Sequence, residues 1–155
     1  LSYSTPIVWV IQLSGRMLMQ SVMCSVLLYE DTVADCKLIN MFNLKVILEE
    51  ISDGHLAWVL ELKAKVEEVA YQKRKIWIGQ ERYISLKEEL FAKSGQLLKT
   101  TVMSDVVKIQ GRWFPKKINY KDVLKDGDGT DFIMMNIEFN VVIPDYIFNK
   151  ASLKK

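Results

Sequence analysis

From Phe42 onward the chain repeats one pattern: apolar and polar residues alternate for about eight to twelve positions, and a short Gly- or Asp-containing turn follows. Phe42, Leu44, Val46 and Leu48 alternate with Asn43, Lys45, Ile47 and Glu49. After Ser52-Asp53-Gly54, Leu56, Trp58, Leu60 and Leu62 alternate with Ala57, Val59, Glu61 and Lys63. Successive side chains of a strand point to opposite faces, so each of these strands offers one strongly apolar face. The same pattern predicts strands over 69–78, over 83–92 with Ile84, Leu86 and Leu90 on one face, and over 97–109, 113–124 and 132–143. Turns at Gly79-Gln80, 93–96, 110–112 and 126–129 separate them. Joints this short make consecutive strands antiparallel neighbours.

Pro115 falls inside a predicted strand and has no N–H to donate, which calls for a bulge or a place where that donor faces no partner. A further strand is expected over Ile7 to Leu13. Ser25 to Cys36 breaks the alternation; Tyr29-Glu30-Asp31 within it could form a short helix, and Pro144 to Phe148 a turn or a single helical turn. The expectation is a mainly β chain: a closed or strongly curved antiparallel sheet, with one or two short helices, in a single domain over 1–155.

Composition narrows the function. Lys and Arg outnumber Asp and Glu by only 21 to 19, intermixed along the chain, so no basic field gathers nucleic acid. The run Lys73-Arg74-Lys75 reads as a solvated face, with contact to anionic headgroups or phosphate as the rarer alternative. Cys24 and Cys36 lack metal-ligand spacing; a disulfide between them and two free thiols both stay open. The apolar opening, Thr5 to Leu13, is too short to span a membrane as a helix.

Catalytic constellations are absent from the sequence pattern. His55 is the single histidine and sits beside a turn, and no nucleophile-elbow or phosphate-loop motif occurs. The pairs Glu49-Glu50, Glu67-Glu68 and Glu88-Glu89 point apart in a strand, so they read as solvated faces rather than acid/base dyads. Asp126, Asp128 and Asp131 resemble a calcium loop, but Asp131 and Ile137 stand where an EF-hand has Gly and Glu. No catalytic residue, metal or cofactor is expected. The notable resource is large, adaptable apolar surface: 4 Trp, 6 Phe, 6 Tyr and 7 Met, with methionines at 17, 19, 23, 134 and 135. Core filling accounts for many of them, and a plastic apolar cleft is the sharper reading.

Longer stretches carry a resemblance. IWIGQERYISLKEELFAKSGQLLKT (76–100), VVKIQGRWFPKKINYKDV (106–123) and NIEFNVVIPDYIFNKASL (136–153) resemble the C-terminal half of the LolA-like outer-membrane lipoprotein-sorting family. Upstream, SGRMLMQSVMCSVLLYEDTV (14–33) resembles a family segment, with Cys24 and Val26-Leu27-Leu28 departing from its usual glycine and polar-aromatic stretch. The resemblance implies an incomplete barrel whose concave apolar side, lidded by helices, holds the acyl chains of lipoproteins or related lipids. It also implies a periplasmic location and an N-terminal region that this chain lacks.

The expected function is therefore non-enzymatic lipid or lipoprotein binding, with a membrane transporter or receptor as a protein partner. The alternative is a sensory or scaffold domain of the same fold that binds a protein. The residues expected to line the cleft are Phe42, Leu44, Trp58, Leu60, Ile84, Leu86, Met103, Ile133 and Met135. If strands are missing before Ile7, an exposed edge would favour a homodimer.

Overall fold

In the computed structural model the described residues are 38–67 and 69–148. The expected strand over Ile7 to Leu13 and the helix around Tyr29 lie outside them. A single helical turn, α1 (Leu38–Met41), leads into seven strands: β1 (Phe42–Ser52), β2 (His55–Ala64), β3 (Lys73–Gly79), β4 (Ser85–Phe91), β5 (Leu97–Ile109), β6 (Arg112–Asp122) and β7 (Thr130–Ile133). A 3-10 turn, Asp145–Phe148, follows, matching the helical turn expected there. The strands form one antiparallel sheet in sequential order, each beside its predecessor. No pairing joins β1 to β7 among the described residues, so the sheet stays open.

Local chemistry accounts for the tight reversals. Asp53 and Gly54 both have positive φ (50° and 75°), as do Gln110 and Gly111 (47° and 82°), the geometry that matches a two-residue hairpin turn to twisted strands. β3 starts later than the alternation suggests, because the Gln72 side chain donates to the carbonyls of Val66 and Glu67 and folds the chain into a loop. β7 ends far earlier than the expected 143. After Ile133 the Met134 N–H still donates to the Lys116 carbonyl, but no further pairing to β6 follows among the described residues, and at Asn140 φ turns positive (59°). Pro115 lies opposite Val106, beyond Lys117, where β7 has already ended.

Register assigns the two faces. One carries Phe42, Leu44 and Val46 of β1, Leu56, Trp58, Leu60 and Leu62 of β2, and Ile76 and Ile78 of β3. Met103 of β5, Phe114 and Ile118 of β6 and Phe132 of β7 continue it. The other is largely charged, with Lys63 paired to Glu61, Lys87 to Glu89 and Lys117 to Asp131.

Each face has its own buried cluster. On the apolar face Phe42, Leu62 and Ile76 pack together, with Leu38 and Met41 of α1 against them; the amine of Lys65 donates to the Ile39 carbonyl at 2.8 Å and helps dock the helix. Ala57, Val59, Trp77 and Leu86 form the other cluster, where the Trp77 indole donates to Glu50.

Gly129 tests the β6–β7 joint. Its φ is 89°, and an added Cβ would meet the Tyr120 carbonyl, whereas Gly95 (φ 86°) has open space. Positive φ alone costs an L-residue about 1–2 kcal/mol. Gly95→Ala is expected to lose about that much in urea unfolding, and Gly129→Ala distinctly more, with shifted amide signals in β7.

Candidate functional site

The apolar face is built by strand alternation, and much of it is uncovered. Leu44 and Val46 are each 52% exposed, Leu56 is 48% and Phe132 50%, and Ile51 adds to the same side of the β1–β2 hairpin. Trp58, Leu60 and Ile78 are half-buried among them. Contiguous apolar surface of this kind marks a binding site more often than a free surface. Aromatic groups frame it: Trp58 stacks obliquely on Tyr83 at 6.0 Å between ring centroids, with its indole donating to Glu49 at 3.0 Å. At the opposite corner Phe139 lies edge-on to Phe114 at 5.8 Å, under the guanidinium of Arg112.

The residues expected to line a cleft divide. Phe42, Leu44, Trp58, Leu60 and Met103 share the apolar face. Ile84 and Leu86 do not: Leu86 is an extra residue in β4, between Ser85 opposite Ile78 and Lys87 opposite Trp77, and this bulge turns it onto the cluster of the charged face. Ile133 pairs with Lys117 and so also lies on the charged face, while Met135 follows the end of β7 and is solvent-exposed. Leu48 leaves the apolar face for the same reason as Leu86, since Ile47 is an extra residue in β1.

Sequence reading missed one group. Arg74 and Glu88, both read as solvated, lie on the apolar face with side chains only 22% and 17% exposed, 3.4 Å apart. Arg74 stands in phase with Ile76 and Ile78, and that period was the signal available for it.

A small cleft of about 160 Å³ opens at the turn end of the sheet, bounded by His55, Gln80, Ile84, Leu86, Met103 and Val106. Typical small-molecule sites span about 300–1,000 Å³, so this cleft is too small to enclose a lipid chain. Among the described residues no cluster of His, Cys, Asp or Glu has metal-binding geometry. Asp131 accepts from Asn119 at 2.8 Å and from Lys117 at 2.9 Å.

The comparisons with known proteins bear on this architecture. A family model described as "-like: Uncharacterized protein" matches residues 3–155. The chain belongs to that family. No curated protein matches it. Three solved structures share the fold. A domain assigned as an outer membrane lipoprotein-sorting protein from Vibrio parahaemolyticus has a TM-score of 0.77 at 23% identity, over 92% of this chain and 60% of its own. A DUF1329 family protein from Desulfovibrio piger gives 0.80 at 24%, over 90% and 58%. A LolA superfamily protein from Nitrosomonas europaea gives 0.62 at 28%, over 87% and 60%. The chain thus has the LolA-like fold and spans about three-fifths of the length of these relatives. The antiparallel sheet expected from the alternation is present, unclosed among the described residues as the family resemblance implies, and it matches the fold of these structures.

The hydrogen bond from Asn119, and then the bond and charge of Lys117, hold the Asp131 carboxyl below the ordinary carboxylate range. A depressed folded pKa contributes stability above the ordinary carboxylate value, lost as pH falls through the folded one. The contribution of the Asn119–Asp131–Lys117 contacts to the β6–β7 pairing is therefore expected to be kept above the ordinary carboxylate value and lost as pH falls below it. Carboxyl NMR should show Asp131 titrating below the ordinary carboxylate range, and Asn119→Ala should raise its midpoint.

Proposed function

We propose that this LolA-like chain is a non-enzymatic lipid- or lipoprotein-binding domain of the bacterial envelope, working in the periplasm, and that acyl chains lie on its apolar face. The observation that carries this reading is the uncovered aliphatic surface of Leu44, Val46, Ile51 and Leu56 across the β1–β2 hairpin. Side chains needed only for the core would be buried, as Leu62 is on the same face. The three relatives of LolA-like fold support it: one is assigned to outer membrane lipoprotein sorting and another to the LolA superfamily.

Acyl burial has the necessary magnitude. Each CH₂ removed from water contributes about 0.8 kcal/mol, so a chain of ~14 carbons gains on the order of 10 kcal/mol before the cost of ordering it. An open face suits cargo that must leave again, because nothing has to unfold for release. The scaffold alternative predicts a face already filled by its own Trp and Phe. Half-exposed Leu44, Val46 and Leu56 favour the open face instead.

The test replaces exposed residues only. Leu44→Asn with Leu56→Asn is expected to weaken saturable binding of a fluorescent acyl-chain probe by roughly tenfold or more, since each buried leucine contributes about 1.5–3 kcal/mol. The melting temperature should stay within a few degrees of the parent. Unchanged probe affinity in a folded double variant would remove the apolar face from the proposal.

A further inference from the structure

Charge inside an apolar face needs a reason, because a buried cation is costly unless something answers it. Arg74 occupies one cross-strand row with Leu44, Leu62, Leu90 and Lys99. Its guanidinium carbon lies 5.5 Å from the Phe42 ring centroid and 5.7 Å from that of Tyr71. Lys99, two strands away across Leu90, brings its amine to 5.7 Å from the same Tyr71 ring. Two cations thus converge on one buried aromatic side chain beside the aliphatic patch.

The nearby acid answers the Arg74 charge incompletely. Glu88 approaches Arg74 Nε at 3.4 Å, yet Nε is buried and has no hydrogen-bond partner among the described residues. A buried donor left without an acceptor in a native fold calls for an explanation. The rings of Phe42 and Tyr71 also hold the guanidinium in place, so little freedom is lost when its planar fork takes a bidentate acceptor.

We infer that Arg74, assisted by Lys99 and seated on Tyr71, receives the oxyanion head of an amphiphilic ligand whose chain lies on Leu44, Val46 and Leu56. This inference rests on the acyl-binding reading and adds the ligand's class: an anionic lipid, with a carboxylate or phosphate head. The charge in the face then has a partner of matching chemistry, and Phe42 and Leu62 separate head from tail. Glu88 orients the guanidinium and competes with the ligand for it.

The experiment compares tetradecanoate with its uncharged methyl ester by calorimetry, on the full chain, in Arg74→Met and Glu88→Gln variants checked by circular dichroism. The parent should bind the acid at least roughly tenfold tighter than the ester, as a charged hydrogen-bonded pair provides. Arg74→Met should lose that preference while still binding the ester. Glu88→Gln should increase it, which keeps a test in hand if the Arg74 variant fails to fold.

Equal binding of acid and ester by the parent overturns the head-group assignment but leaves the acyl reading standing. Binding of neither probe overturns both. If inorganic phosphate displaces the acid at equal concentration without displacing the ester, the cations serve a free anion and the lipid head assignment falls.

Discussion

Seven antiparallel strands that never close leave two faces to be reconciled with water, and in this chain only one of them is polar. The charged face solves its problem locally: lysines and acids pair across and along the strands, Lys73 lies over Phe91, and Lys87 lies over Trp77. Such exposed pairs add little stability each, but they keep that side hydrated. On the apolar face, α1 and the loop carrying Tyr71 cover one end, where Phe42 and Leu62 are buried, and among the described residues nothing covers the β1–β2 hairpin beyond them. Openness is the property on which the proposed acyl binding depends, and it comes from β1 and β7 having no pairing with each other among the described residues.

Much of this architecture was legible because the reversals are written in residues that tolerate positive φ. Asp53-Gly54 and Gln110-Gly111 fix their hairpins, and β5 was read with its observed bounds, Leu97–Ile109. Alternation could not supply the places where it slips. A single extra residue, Ile47 in β1 and Leu86 in β4, reverses the facing of the strand on one side of it, so Leu48, Ile84 and Leu86 were assigned to the wrong side. A bulge has no strong composition of its own; both residues here are aliphatic, ordinary members of any strand. The end of β7 was hidden for a related reason. Residues 132–143 alternate well enough to be a strand, but pairing ends at Ile133 and positive φ at Asn140 turns the chain away.

The polar cluster was hidden by a different ambiguity. Lys73-Arg74-Lys75 looks like a basic run, and a run suggests solvent, yet in a strand its middle member points opposite to its neighbours. Lys73 and Lys75 fall on the charged side; Arg74 alone enters the row of Leu62 and Leu90. Glu88 and Glu89 split in the same way, Glu89 pairing with Lys87 on the charged face and Glu88 meeting Arg74 on the other. Period-two logic thus separates solvating charge from inserted charge one residue at a time.

Stability alone gives a weak account of that insertion. Replacing a largely buried ion pair by packed aliphatic side chains is often neutral or stabilising, so Arg74 and Glu88 are not what an apolar sheet face needs for its own sake. The flanking rings offset part of the desolvation, at about 0.5–1 kcal/mol for each exposed cation–π contact. They do so while leaving the guanidinium fork without a hydrogen-bonded carboxylate at Nε. An arrangement that holds a cation in place and leaves its donor unanswered is poor as a structural strut. As the receptor proposed for an oxyanion it is economical, because the ordering would already be complete before the ligand arrives.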